Sequence, residues 1–334
     1  MNTAVETKDT QKTMVQAINE ALALALEHDP SVIILGQDVG KNGGVFRVTD
    51  KLQERFGENR VVDTPLAESA VVGAAIGLAV NGFRPIVEIQ FMGFLYAAMD
   101  QICSQAARVR YRTKGQFSVP MVIRGPFGGG VRALELHCDS YEAFFTHTPG
   151  IKVVVPSNPY DAKGLLLSAI EDPDPVIFFE PMRIYRSIRA DVPHGKYTVP
   201  LGKANVVREG EDVTVISWGA PVTLATQVAE QLQKEKGISI EIVDLRTLSP
   251  LDSKTVMNSV RKTGRAVVLH EAVRTSGFGG EIAARIMEEA FLYLQSPVMR
   301  VTGFDTPYPV HQVENDWLPN AERLIKAVED VLTF

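Results

Sequence analysis

Short apolar runs alternate with helix-patterned segments along almost the whole chain, and this alternation constrains the fold more than any other feature. VIIL (32–35), PIVEIQF (85–91), PMVIR (120–124), IKVVVP (151–156) and PVIFFE (175–180) have the length and bulk of strands buried on both faces. Segments 12–28, 66–80, 93–111 and 159–170 between them carry helical patterning. Such alternation predicts a mostly parallel sheet covered by helices on both sides. The pattern lapses after Pro181, where Pro193 and Pro200 punctuate a stretch without a period up to about residue 210. It then restarts, with strands at 213–217, 239–245, 265–271 and 298–303. Helices are expected up to about 236, at 252–262, at 280–294 and from 320. The predicted class is α/β, with two consecutive α/β domains. Their bounds are a flexible N-terminus at 1–12, a first domain at 13–185, a linker at 186–204 and a second domain at 205–334. A chain of 334 residues has ample material for two cores.

Composition removes several classes of function. A net charge of −6 argues against a nucleic-acid partner, which would require a basic face. The one basic cluster, RVRYRTKG at 108–115, reads as a solvated helix end or a subunit contact. No apolar run has the length of a membrane span, and MNTAVETKDTQKT at the start lacks a signal core, so a cytoplasmic location is expected. Cys103 and Cys138, the only cysteines, are too few for a disulfide framework or a zinc site.

DTPLAESAVVGAAIGLAVNG (63–82) is the most unusual helix candidate. Thr64 and Pro65 look like its start and Gly82 like its stop. Nearly every residue from 66 to 80 is small or apolar, which predicts burial on all sides, yet Glu68 lies in the first turn. A capping box would place the acid three residues after the Thr cap; here it is four, although a favourable charge–dipole effect remains open. A carboxylate entering an apolar setting needs a partner, and a ligand is one candidate.

RGPFGGGVRALELHCDS (124–140) follows a strand and carries three consecutive glycines, then His137. Without the Lys-Ser/Thr ending of a phosphate loop, the glycines read first as a structural turn. His137 is either a hydrogen-bonded structural histidine or a proton carrier at a loop tip. GFGGEIAARI (277–286) looks like half a dinucleotide fingerprint, but Ile282 stands where the third glycine belongs.

DVGKNGGVFRVTD, DTPLAE, RPIVEIQF, RVRYRTKGQ, PFGGGV, ELHCDS, PGIKVVVPSNPYDAKGLL, DPVIFFEP, VDLRTLSP, KTGRAVVLHEA and DTPYP occur in that order. Together, from residue 13 to 334, they resemble the β subunits of thiamin-diphosphate-dependent 2-oxo acid dehydrogenases, the first, decarboxylating components of the pyruvate and branched-chain complexes. The resemblance implies a pyrimidine-binding domain followed by a transketolase-type C-terminal domain. It also implies an α2β2 heterotetramer whose α subunit holds the cofactor's diphosphate and Mg2+ through a Gly-Asp-Gly motif, a motif missing from this sequence. By matching, Glu68 contacts the aminopyrimidine ring nitrogen and favours the imino tautomer that removes the thiazolium proton. His137 matches the histidine that assists acyl transfer to the lipoyl arm of the dihydrolipoyl acyltransferase, a partner bound through its lipoyl and peripheral-subunit-binding domains. Leu66, Gln90 and Phe94 match positions lining the pyrimidine pocket. Carbonyls of Met121, Ala169, Ile170 and Asp172, with Asp174, fall where relatives hold a structural K+. ELHCDS and WLPN lean toward pyruvate, whereas FFEP and VTGFDTPYP lean toward branched-chain acids. Pyruvate is the first choice, the branched-chain enzyme the alternative and a non-catalytic assembly subunit a more distant one.

Overall fold

The structure, a computed structural model, describes residues 10–334. The expected flexible N-terminus falls mostly on residues 1–9, outside the described residues. Its last part is ordered: Gln11–Lys12 pairs antiparallel with Ala190–Asp191, so this edge of the segment is a short strand rather than a frayed end.

The first sheet has seven strands in the order Thr247–Ser249, Lys152–Val154, Val176–Pro181, Val122–Phe127, Arg84–Glu88, Val32–Gly36, Val61–Asp63. All neighbours are parallel except the first pair. The second sheet has five strands, Met299–Gly303, Ala266–Val273, Val213–Ser217, Ile240–Asp244 and Asn205–Arg208, of which only the last runs antiparallel. Apolar residues on both faces of the inner strands give each sheet its core, as continuous V/I/L/F runs require.

The division into domains is less clean than the sequence suggests. Thr247–Ser249 lies beyond residue 205 yet adds a strand to the first sheet. One apolar cluster runs from Ile177 and Phe179 of that sheet into Ile216, Trp218 and Val243 of the second. The two units therefore share part of their core. Residues 186–204 contain no helix, as a linker would, but they include the strand that pairs with Gln11–Lys12.

Two helices differ from expectation. Residues 93–111 are not one α-helix: a 3-10 turn (Met92–Ala98), a π-helical stretch (Asp100–Gln105), a second 3-10 turn (Ala106–Arg108) and a short α-helix (Val109–Arg112) follow one another. The other is the helix containing Glu68. It spans Glu68–Val80, three residues later than Pro65 suggested, with Gly82 beyond its end at φ +94°. Nor is it buried all round. Val71, Val72, Ala75 and Ala79 face the core, while Ser69, Ala70, Ala74 and Gly77 form an exposed stripe. Small residues every three or four positions give a flat face that the other described residues leave open.

Candidate active site

In a parallel sheet, ligands sit beyond the carboxyl ends of the strands, where the strand order reverses. From Val32–Gly36 the chain moves outward to Val61–Asp63, then returns to place Arg84–Glu88 on the other side of Val32–Gly36. The crevice at that reversal is lined by Gly36 and Gln37 after one strand and by Glu88, Ile89 and Gln90 at the end of another. Residues 64–68 and Val71 close its third side. The structure thus brings Leu66, Glu68 and Gln90 together around one cleft.

Glu68 is the first residue of its helix, preceded by Ala67 in a non-helical conformation and by no side-chain cap. Its carboxylate is half-buried and makes no hydrogen bond or ion pair among the described residues. The Oγ1 of Thr64 is buried and equally without a partner. Gln90 is oriented instead: its Nε2 donates to Asp38 Oδ2 at 3.2 Å. Leu66 is 69 % exposed at the rim, an apolar side chain left open by the described residues. An aminopyrimidine ring, the group implied by the resemblance, would meet a free carboxylate, an anchored amide, an orphan hydroxyl and apolar walls from Val71 and Ile89. The residues present fit such a ring.

Sequence reasoning missed Glu88, which lines the same cleft and is 6 % exposed. Burial pushes its carboxyl up, and the charge of Arg124 offsets that only in part. Arg124 donates to Glu88 and, through Nε and Nη2, to both oxygens of Glu180; Tyr185 adds a hydrogen bond to Glu180 at 2.6 Å. The signal was present: PIVEIQF, PMVIRG and PVIFFEP each carry one charge into a strand that is otherwise apolar.

His137 and Phe94 form a second group beside the first. Phe94 does not line the cleft; its ring lies 5.2 Å from that of His137, and Phe91 packs on His137 at 4.3 Å. Since Phe91 directly follows Gln90, the two groups adjoin. The Nδ1 of His137 is buried without a partner, which leaves a histidine held by rings rather than by a hydrogen bond. Neighbouring Cys138 is fully buried, and burial pushes its thiol up to about 12, so it is no nucleophile at neutral pH.

The residues expected around potassium behave differently. Carbonyls of Ile170 and Asp172 do converge, but on Arg84 Nη1, at 2.8 and 3.4 Å. The Asp172 carboxylate takes Lys152 at 2.6 Å, Asp174 takes Arg110 at 2.5 Å, and the carbonyls of Met121 and Ala169 accept backbone N–H groups. A bare cation on the two converging carbonyls would lie against a guanidinium. This set is neutralised by the chain's own cations and does not fit a bound potassium ion. Among the described residues no group of three or more His, Cys, Asp or Glu side chains is placed to hold a metal. The basic cluster is likewise spent locally: Arg108 and Arg112 hydrogen-bond within their own segment, and Arg110 pairs with Asp174.

Comparison with known proteins identifies the fold and the family. Residues 10–188 match the transketolase pyrimidine binding domain family, and residues 202–324 match the transketolase C-terminal domain family. The chain is 52 % identical over 324 residues to a pyruvate dehydrogenase E1 component subunit beta of Staphylococcus aureus (strain COL), covering 97 % of this chain and 99 % of that protein. It is 53 % identical, over the same shares, to the protein of the same name from Bacillus subtilis (strain 168). A solved structure described as a split gene transketolase, an inactive beta4 tetramer, superposes with a TM-score of 0.77 at 24 % identity. It covers 96 % of this chain and 98 % of that one, a likeness of fold.

Proposed function

The chain belongs to the family of pyruvate dehydrogenase E1 component β subunits, and we propose that Glu68, Leu66 and Gln90 form the pyrimidine-binding half of its thiamin diphosphate site. It is a subunit of a 2-oxo acid dehydrogenase that decarboxylates pyruvate oxidatively and passes the acyl group to a lipoyl arm. The names borne by relatives at 52–53 % identity favour pyruvate over the branched-chain acids. The observation that carries the site assignment is the Glu68 carboxylate, which has no partner among the described residues and stands in the crevice where the strand order reverses.

Thiamin diphosphate, when bound, supplies a thiazolium carbon acid whose conjugate base attacks the 2-oxo carbon and stabilises the charge left by carbon dioxide. Glu68 holds a proton against the ring nitrogen of the aminopyrimidine and so sets its tautomer. Gln90, fixed by Asp38, and the exposed Leu66 would help to hold the pyrimidine ring. Phe94 acts one step removed, by packing on His137. His137, with a free Nδ1, carries a proton to or from the acyl group as it moves to the lipoyl sulfur.

The diphosphate and Mg2+ fall to an α subunit, whose approach would cover Leu66 and the exposed stripe of Ser69, Ala70, Ala74 and Gly77. An α2β2 assembly docked on a dihydrolipoyl acyltransferase in the cytoplasm follows from the same reading. No helix of the described residues is long and apolar enough to cross a membrane. Replacing Glu68 with Gln in the complex reconstituted with an α subunit tests the assignment. Decarboxylation should fall by about 10²–10⁴-fold, the usual range for a lost acid–base group. Near-normal turnover would remove Glu68 from the mechanism.

A further inference from the structure

The three glycines at 128–130 are not explained by the site so far, and they hold no phosphate-binding ending. Their backbone is taken up by the second domain. The N–H of Gly129 donates to Glu271 Oε1. The N–H groups of Gly130 and Arg132 both donate to Glu314 Oε1 at 3.1 Å, and the Tyr308 hydroxyl bridges them, accepting from Gly130 at 3.2 Å and donating to Glu314 at 2.7 Å. A Cβ on Gly129 would collide with the Tyr308 hydroxyl, and Gly130 has φ +85°, so the approach requires glycine at both positions. Farther along the loop Glu142, 1 % exposed, accepts from Trp218 Nε1 at 3.2 Å, again a residue of the second domain.

The segment from 128 to 142 is thus pinned at both ends by the second domain, and His137 lies between the pins. Within the segment, the Leu136 carbonyl rests on Gly93 and the His137 ring on Phe91 and Phe94. With no hydrogen bond to its Nδ1, His137 is placed by two things: the rings of Phe91 and Phe94 against its own, and the backbone that carries it. We propose that Glu271, Glu314 and Tyr308 are positioning residues for His137, holding its loop by hydrogen bonds across the domain junction. This rests on the role given to His137 above. It also gives the second domain a part in acyl transfer without its touching the reacting atoms. The carboxylates serve as acceptors for three backbone N–H groups, of which that of Gly129 is buried and those of Gly130 and Arg132 lie at the partly open edge of the junction. The glycine run is the receptor for this clamp.

Glu314→Ala and Tyr308→Phe, in the complex reconstituted with an α subunit and supplied with a lipoyl domain, test the proposal alongside His137→Ala. Amide hydrogen exchange is followed across 128–138 and across the helix Glu68–Val80. Lipoyl acetylation is compared with decarboxylation measured with an artificial electron acceptor. Exchange should rise across 128–138 only. Acetylation should fall at least about tenfold, as small misplacements of a reacting group do. Decarboxylation should stay within about threefold, and Glu314→Gln, which keeps an acceptor oxygen, should restore most of the loss. Unchanged exchange in Glu314→Ala, or an equal fall of both activities, overturns the positioning role. Full acetylation by His137→Ala would instead overturn the role of His137, and the exchange data would then decide the clamp by themselves.

Discussion

At the carboxyl ends of the first domain's strands, Glu88 and Glu180 enclose Arg124 in a triad at most 6 % exposed, every member hydrogen-bonded to another. Glu68 lines the same cleft as Glu88, half-buried, with no partner among the described residues. The triad ties three neighbouring strands together, each carboxylate engaged by the Arg124 guanidinium. Glu68 contributes nothing visible to the fold, so its carboxylate is free for a ligand. Satisfaction of polar groups separates structure from function here more cleanly than burial does.

The comparison breaks most readily at Arg124. Replacing it with Met would leave two buried carboxylates uncompensated, and denaturant titration should show a loss of about 3–5 kcal/mol. A loss below about 1 kcal/mol would mean that the triad is not structural.

A smaller effect is expected at Glu271, whose carboxyl burial pushes up to about 7. Between about pH 4.5 and 7 the folded chain keeps a proton that the unfolded chain has released, so stability falls as pH rises through that window and levels off above it. Glu271→Gln should flatten the fall by at most about 3 kcal/mol in melts taken from pH 5 to 8. It will not abolish it, because Asp244, pushed up to about 7 chiefly by burial, has the same sign and remains. An unaltered pH profile would show that Glu271 titrates normally.

The smallest effect lies on the open face of the Glu68 helix. A Cβ on Gly77 meets nothing within 4 Å among the described residues, so Gly77→Ala should stabilise the isolated chain by up to about 1 kcal/mol. If another subunit covers that face, the same change should weaken assembly, read by sedentation of the mixed subunits in an analytical ultracentrifuge. Unchanged assembly would leave the stripe uncovered.

The sequence carried the sheet because strands buried on both faces leave continuous apolar runs, as at 32–35 and 213–217. Thr247–Ser249 was illegible: three residues have no period, and their partner strand lies almost a hundred positions away. The break of 93–111 into 3-10 and π segments has no breaker residue to announce it. Glu68 stood out as an acid in an apolar helix, yet the helix start was misplaced because residues 64–67 are drawn into the cleft wall. The openness of that helix depends on what another chain covers, which a residue pattern does not distinguish from a buried core. Glu271, Glu314 and Tyr308 look like ordinary residues until the loop they hold is placed against them.

The central claim is that Glu68 is left unpaired so that it can hold a proton on the cofactor's pyrimidine. The most direct measurement is the rate of hydrogen exchange at the reactive carbon of thiamin diphosphate bound to the reconstituted complex, in the native form and in Glu68→Gln. The account predicts that exchange slows by about 10²–10⁴-fold while cofactor affinity and melting temperature change little. Exchange at the native rate in the variant would contradict it.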